Sequence, residues 1–261
     1  MAEATEPLVR ASAERGVAIL TLDSPHNRNA LSARLRTELA ERLAEAVADD
    51  DVRAVLLTGT GPAFCAGADL KEVAAERAGR PVDPAAPGMA ELFAAIMDAP
   101  KPVVAKLNGP ARAGGIGLVA AADIAVAPAS ATFAFTEVRI GVVPAIISVP
   151  VAARMHDRQL ARYFLTGETF DAAAAAGAGL VTVTVADPDV DAVTDGILDG
   201  IRQAAPDALA GTKALLRAAD RRDLASAFAE MAEVSRTYFA GDDAAEGRAA
   251  FFEKRPPRWA L

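Results

Sequence analysis

Arg53-Ala54-Val55-Leu56-Leu57-Thr58-Gly59, followed at once by Ala63-Phe64-Cys65-Ala66-Gly67-Ala68-Asp69-Leu70-Lys71, is the part of the chain that decides its fold. The first run is apolar and bounded by turn residues, which predicts a buried strand. The charged segment that begins at Lys71 predicts a helix. Between them lies a turn of small residues, where no side chain keeps a ligand away from the backbone. Such a turn aims unpaired N–H groups at a negative atom. It therefore offers main-chain stabilisation of an oxyanion rather than a nucleophile.

The same strand, turn and helix sequence recurs on both sides. Val17-Ala18-Ile19-Leu20-Thr21-Leu22-Asp23 reads as a strand, and Ser24-Pro25-His26-Asn27-Arg28-Asn29 as a turn. Ser32 is an N-cap for a helix to about residue 48, with Leu35, Leu39, Leu43 and Val47 on one face. Residues 78–90 carry three prolines and read as a mobile surface loop. Strands are expected at 102–107, 123–127 and 132–135. Gly114-Gly115-Ile116-Gly117-Leu118 leads into an alanine-rich helix. This alternation predicts an α/β fold. After Val185 the pattern is wholly helical, over 190–204, 207–218, 224–239 and 242–253. A boundary is expected near residue 200, dividing a 1–200 core from a helical 201–261 region that packs on a partner subunit or on its own core.

Composition narrows the function. A chain of 261 residues buries a large core as one big domain or one domain with an appendage. It is 52% apolar and 24% charged, ordinary for a soluble globular protein. A net charge of −8 argues against a general nucleic-acid binder, although Arg221-Arg222 and Lys254-Arg255 leave room for a small anionic ligand. The single cysteine, Cys65, cannot form an internal disulfide and fits a reducing, cytoplasmic compartment. The acidic N-terminus has no apolar segment of the signal-peptide kind, and no apolar run reaches membrane-spanning length.

Several chemistries are poorly served. Gly59-Thr60-Gly61 follows a strand, but Phe64 stands where a dinucleotide fingerprint needs its third glycine. His26 and His156 are the only histidines and have no ligand-spaced partners, so no metal site is expected. Ser148 lies between Ile147 and Val149 and is expected to pack or to bond backbone rather than attack. Cys65 reads as a small apolar residue of its turn. Glu137 sits among Phe133, Phe135, Val138 and Ile140. Burial there would raise its pKa and suit it to proton transfer. The alternative is a carboxylate on the solvent face of a strand, paired with Arg139.

Three segments stand together: the 63–71 turn, the 108–118 glycine turn, and Phe133-Ala134-Phe135-Thr136-Glu137-Val138-Arg139-Ile140-Gly141-Val142-Val143-Pro144. In this order and spacing they resemble the crotonase superfamily, the enoyl-CoA hydratase/isomerase family. Asn27-Arg28-Asn29-Ala30-Leu31-Ser32, Leu165-Thr166-Gly167, Gly179-Leu180-Val181 and Ala250-Phe251-Phe252-Glu253-Lys254-Arg255 extend the likeness over nearly the whole chain. The resemblance implies a crotonase-like spiral of ββα repeats. It also implies a helical C-terminal region that trimerises, often into a dimer of trimers. The ligand implied is an acyl-CoA thioester of fatty acid metabolism, itself the substrate, with no separate cofactor.

By motif position the N–H groups of Ala68 and Gly114 form the oxyanion hole, and Glu137 transfers the proton. The implied CoA and acyl contacts are Asn27, Arg28, Ala30, Ala66, Asp69, Leu70, Lys71 and Lys254. Of these the Ala66 carbonyl faces the adenine amine, Arg28 the phosphates or ribose, and Lys71 the pantetheine path. Lys254 reaches across from a neighbouring subunit.

Two departures matter. Family hydratases commonly carry a second glutamate where this chain has Gly117. Two glutamates divide the handling of water and of the α-carbon proton. With one, water needs another holder or Glu137 serves twice, whereas a single base is what Δ3,Δ2-enoyl-CoA isomerases use. The runs 115–123 and 142–148 nevertheless resemble bacterial enoyl-CoA hydratases, including methylglutaconyl-CoA hydratase-like proteins. Hydration is therefore expected first and isomerisation next, with a catalytically weak acyl-CoA binder as the reading of another class. The second departure is Arg112, which stands in a normally uncharged run. It is expected either to lie on the surface or to pair with a carboxylate on the acyl chain.

Overall fold

A computed structural model of the chain describes residues 6–79, 83–219 and 223–258. Arg221, Arg222 and residues 80–82 of the proline-rich stretch lie outside the described residues. The chain opens with a strand that hydrophobic patterning does not announce. In β1 (Val9–Glu14) only Val9 is buried. Arg15 and Gly16, with φ of 48° and 76°, turn it into the antiparallel β2 (Val17–Leu22). Two successive positive φ values give the turn whose twist suits a hairpin. Helix α1 (Ala33–Ala48) follows. The Ser32 side chain accepts from the Leu35 N–H, and Leu35, Leu39 and Leu43 are buried. Burying each such leucine contributes about 2 kcal/mol.

The expected strand is β3 (Ala54–Gly59), and the charged segment is α2 (Leu70–Arg77), capped by Asp69. Residues 89 and 90 belong not to a loop but to α3 (Met89–Asp98), whose Leu92, Phe93, Ile96 and Met97 are buried. Then come β4 (Val103–Lys106), the two-residue β5 (Ala111–Arg112), α4 (Gly114–Ala121), β6 (Ile124–Pro128) and β7 (Thr132–Ala134). Helices α5 (Ala145–Ala152) and α6 (Asp157–Thr166) precede β8 (Phe170–Asp171), α7 (Ala172–Gly177) and β9 (Val183–Val185). The chain ends in α8 (Val190–Arg202), α9 (Pro206–Ala219), α10 (Leu224–Ala240) and α11 (Asp242–Glu253). These four helices match the sequence-based spans within two residues.

A six-stranded sheet has the order β1-β2-β3-β4-β6-β9, parallel throughout except for the first hairpin. A smaller sheet runs β5-β7-β8. Bridges from Leu31 to Ala68 and from Cys65 to Ala111 extend that layer backwards along the chain. Successive turns thus add one strand to each layer, which is the spiral of ββα repeats. The functional consequence is local. Residues 65–68, 111–114 and 133–137 stack as neighbouring turns of one layer.

The terminal helices lie on this core. Helix α10 packs on α5 and α3, and α11 packs on the turn that begins at Glu137. Helix α9 is tied down by one buried cation. The Lys213 Nζ lies 2.7 Å from the Asp123 carboxylate and donates to the Ile96 and Lys101 carbonyls, both at 3.2 Å. Burial lowers its pKa, and Asp123 offsets part of that effect. Replacing Lys213 by Met removes one partner of a largely buried pair. We expect it to lower the denaturant-derived unfolding free energy by about 3 kcal/mol. A loss too small to measure would mean that the Lys213–Asp123 pair does not help to hold α9. No helix among the described residues is long and apolar enough to cross a membrane.

Candidate active site

The turn at residues 65–68 is pinned from both sides. The Ala66 N–H donates to the Arg28 carbonyl, and the Leu31 N–H to the Gly67 carbonyl. On the other side the Arg112 N–H donates to the Cys65 carbonyl. Gly67 has φ +85°, and a Cβ there would lie 2.8 Å from the Arg112 carbonyl oxygen and 3.0 Å from the Gly114 nitrogen. Only glycine lets the two turns approach this closely. The Ala68 and Gly114 N–H groups donate to no described residue, and both border the same cavity. Gly114 is the first residue of α4, so its N–H carries the positive end of that helix. The preceding residue, Ala113, holds φ 45° and ψ −119° without being glycine. Strain of this kind persists only where the surroundings enforce it.

One residue that supports this geometry has a role that the sequence did not disclose. Asn29 is fully buried at φ 56°. Its Nδ2 reaches the Thr60, Ala63 and Phe64 carbonyls at 3.0–3.2 Å, while its Oδ1 accepts from the Ser24 N–H at 2.8 Å. It thereby joins the turn at residues 24–31 to the segment entering the 65–68 turn. Its one legible signal is that asparagine tolerates the left-handed region needed there.

Glu137 does not lie on a strand. It starts a single 3-10 turn, Glu137–Ile140, that ends at Gly141 with φ +74°. A Cβ on Gly141 would meet the Asp243 carbonyl oxygen at 2.3 Å, and one on Gly247 the Ile140 carbonyl oxygen at 2.2 Å. Helix α11 therefore clamps the turn from behind. The Glu137 Oε2 is buried and has no hydrogen-bond partner among the described residues. Burial raises its pKa from 4.5 to about 7, opposed only by its own backbone N–H. Arg139 does not pair with it but points outward to the Thr166 carbonyl.

Glu137, Ala68 and Gly114 all face one cavity of about 250 Å³. Leu70, Met89, Ile146, Ile147 and Phe239 supply much of its apolar wall. Among the described residues Glu137 is the only ionisable side chain lining it, and the hydroxyls of Thr136 and Ser235 are the only other hydrogen-bonding side-chain groups. Among the described residues no second carboxylate lines the cavity in place of the one missing at Gly117. A Cβ at that position would lie 2.4 Å from the Phe93 ring and 3.1 Å from an Ile147 methyl. Both side chains are buried, so the space is filled by carbon.

The remaining expected contacts separate into two groups. Leu70 lines the cavity beside Ala66 and Ala68. Ala30 is buried, and its N–H donates to the Asn27 side chain, which also approaches Asp69 at 3.4 Å. Asp69 caps α2 through the Lys71 and Glu72 N–H groups. The Lys71 and Lys254 side chains are exposed, and neither borders the cavity.

Arg112 does not border this cavity: its guanidinium donates to the Ala111 and Thr132 carbonyls and to the Thr132 hydroxyl. Together with Arg28, Cys65 and Ala66 it lines a separate pocket of about 330 Å³. Burial and the neighbouring Arg28 charge lower its pKa. Cys65 is fully buried, its thiol donates to the Asn29 carbonyl, and burial pushes its pKa to about 12. That is an inert structural thiol. The Ser148 hydroxyl bonds the Ala145 carbonyl, as expected of a backbone-satisfying serine.

Three kinds of similarity place the chain among known proteins. The family model described as Enoyl-CoA hydratase/isomerase matches residues 12–260. The chain is 36% identical to a mevalonyl-coenzyme A hydratase of Beauveria bassiana over 93% of this chain and 91% of that one. Among solved structures, an enoyl-CoA hydratase from Mycobacterium avium superposes with a TM-score of 0.85 at 43% identity, covering 98% of this chain and all of that one. An enoyl-CoA hydratase/isomerase from Pseudoalteromonas atlantica superposes with a TM-score of 0.87 at 29% identity, covering 97% and 100%.

Proposed function

We propose that this chain, which belongs to the enoyl-CoA hydratase/isomerase family, adds water to a 2-enoyl-CoA whose acyl group carries no charge, with Glu137 as its only acid and base. The observation that carries the reading is the Glu137 Oε2, buried and unpaired in a cavity it shares with the free N–H groups of Ala68 and Gly114. Ionised Glu137 takes a proton from water as the oxygen bonds to C3. The π electrons then move onto the thioester oxygen, where two preorganised donors stabilise the enolate. Protonated Glu137 returns the proton to C2, leaving a 3-hydroxyacyl-CoA. No further cofactor enters these steps, because the CoA thioester supplies the electron sink.

A second reading rests on Gly117. Because Phe93 and Ile147 fill the place of a second carboxylate, the same base suits moving a proton from C2 to C4 of a 3-enoyl-CoA. The test offers the protein a short 2-enoyl-CoA and, separately, the matching 3-enoyl-CoA. Loss of conjugated thioester absorbance with 3-hydroxyacyl product supports hydration. Its appearance from the 3-enoyl substrate supports isomerisation. Tight binding with turnover of neither would leave an acyl-CoA binding protein.

The placement of Arg112 carries a separate expectation. Beside Arg28 and Ala66 it suits the anionic nucleotide end of CoA rather than an acyl carboxylate. Replacing it by Ala should therefore raise KM for every CoA thioester by a similar factor, roughly three- to tenfold, as expected for loss of one partly solvated charged contact. The ratio of kcat/KM for plain and carboxylated enoyl-CoA substrates should stay unchanged. A selective loss on the carboxylated substrate would return Arg112 to the acyl end.

A further inference from the structure

Hydration by a lone carboxylate leaves one requirement unmet, since the attacking water must be oriented as well as deprotonated. In this cavity the place beside Gly117 is closed by Phe93 of α3 and Ile147 of α5. Helix α10 packs on those same two helices. From that helix Ser235 and Phe239, one turn apart, border the cavity. Met231, one turn before Ser235, packs on the apolar core. A serine therefore interrupts an otherwise apolar face.

A helical serine ordinarily satisfies its hydroxyl on the carbonyl one turn back. Thr237, two residues further on, does so with the Glu233 carbonyl at 3.1 Å. The Ser235 Oγ makes no hydrogen bond to any described residue. The other cavity hydroxyl, that of Thr136, belongs to the residue that opens the Glu137 turn itself. We infer that the Ser235 hydroxyl holds the attacking water against Glu137, so that a residue of the C-terminal helical region confers hydration on a site otherwise equipped for proton transfer alone. This inference rests on the hydration reading above.

Three rates in the full-length protein test it: hydration of a short 2-enoyl-CoA, isomerisation of the 3-enoyl-CoA, and deuterium uptake at C2 of a saturated acyl-CoA in D2O. The last two need Glu137 and the oxyanion donors but no added water. Ser235→Ala should lower kcat for hydration roughly tenfold or more, the loss expected when one orienting hydrogen bond is removed. Whatever isomerisation and deuterium uptake the parent shows should hold within about twofold, and Ser235→Thr should recover hydration. Unchanged hydration in Ser235→Ala, a parallel fall of all three rates, or selective loss in Thr136→Val instead would overturn the assignment. If the parent exchanges deuterium yet never hydrates, the hydration reading itself fails and Ser235 loses its role with it. If the parent hydrates and Ser235→Ala does too, only the serine assignment falls.

Discussion

Glu137→Gln is expected to lower turnover roughly 10²- to 10⁴-fold while leaving CoA-thioester binding within a few-fold of the parent, because it removes the proton carrier and keeps the shape. Glutamine can neither accept a proton from water nor return one to carbon. The pH dependence has a definite sign. The carboxyl must begin ionised, and burial raises its pKa to about 7. The parent's kcat/KM should therefore rise with pH through an apparent pKa near that value, and the residual rate of the variant should lack that limb. Stability moves the opposite way. A carboxyl whose folded pKa exceeds its unfolded value binds more protons when folded, so its contribution is fully present below pH 4.5 and lost as pH rises through about 7. Denaturant unfolding of parent and Gln variant across that window should show the parent alone losing stability from this group. Undiminished activity in Glu137→Gln, or a parent profile flat from pH 5 to 8, would remove Glu137 from the chemistry.

Gly67→Ala carries the other large effect. Gly67 occupies a left-handed conformation, and an added methyl would lie 2.8 Å from the Arg112 carbonyl oxygen. The conformational cost alone is about 1 kcal/mol. The larger consequence is geometric, because the neighbouring atom is backbone and the turns at 65–68 and 111–114 must part. Parting them separates the Ala68 and Gly114 N–H groups that converge on the cavity. Losing the alignment of one oxyanion donor typically costs roughly 10²- to 10³-fold in kcat. A thermal melt separates the two contributions. We expect a fall in kcat of at least about a hundredfold in protein that still melts cooperatively, with KM moved far less. Activity within threefold of the parent would mean that these N–H groups are not the oxyanion donors.

Much of the fold was readable because periodic burial writes itself into the chain. Leu35, Leu39 and Leu43 recur at helical spacing, Ser32 caps the helix they lie on, and the four terminal helices carry the same signature. The strand at Val9–Glu14 was not readable, since five of its six residues face solvent and only the Arg15-Gly16 turn hints at a hairpin. The two-residue strands β5 and β8 are too short to show any period. Within the site, the glycine turns were legible as places where backbone meets ligand. The direction of the Arg112 side chain was not, because a guanidinium on a flexible three-methylene tether reaches either face of a two-residue strand. Glu137 was legible as a buried acid but not as the first residue of a 3-10 turn clamped by Gly247, which lies 110 residues further along the chain.

By itself the sequence determined the α/β alternation, the helical C-terminal region, the glycine that lets residues 65–68 approach a neighbouring turn, and the lack of a carboxylate at position 117. Those properties depend on residue type and local spacing, which the chain states outright. Only the tertiary structure decided what fills the space at Gly117, where Arg112 points and which hydroxyls share the cavity with Glu137. Each of those depends on side chains from distant segments, Phe93 on α3 and Ser235 on α10 at the cavity and Thr132 on β7 beside Arg112, competing for local volume. Close packing settles that competition, and no stretch of sequence contains it.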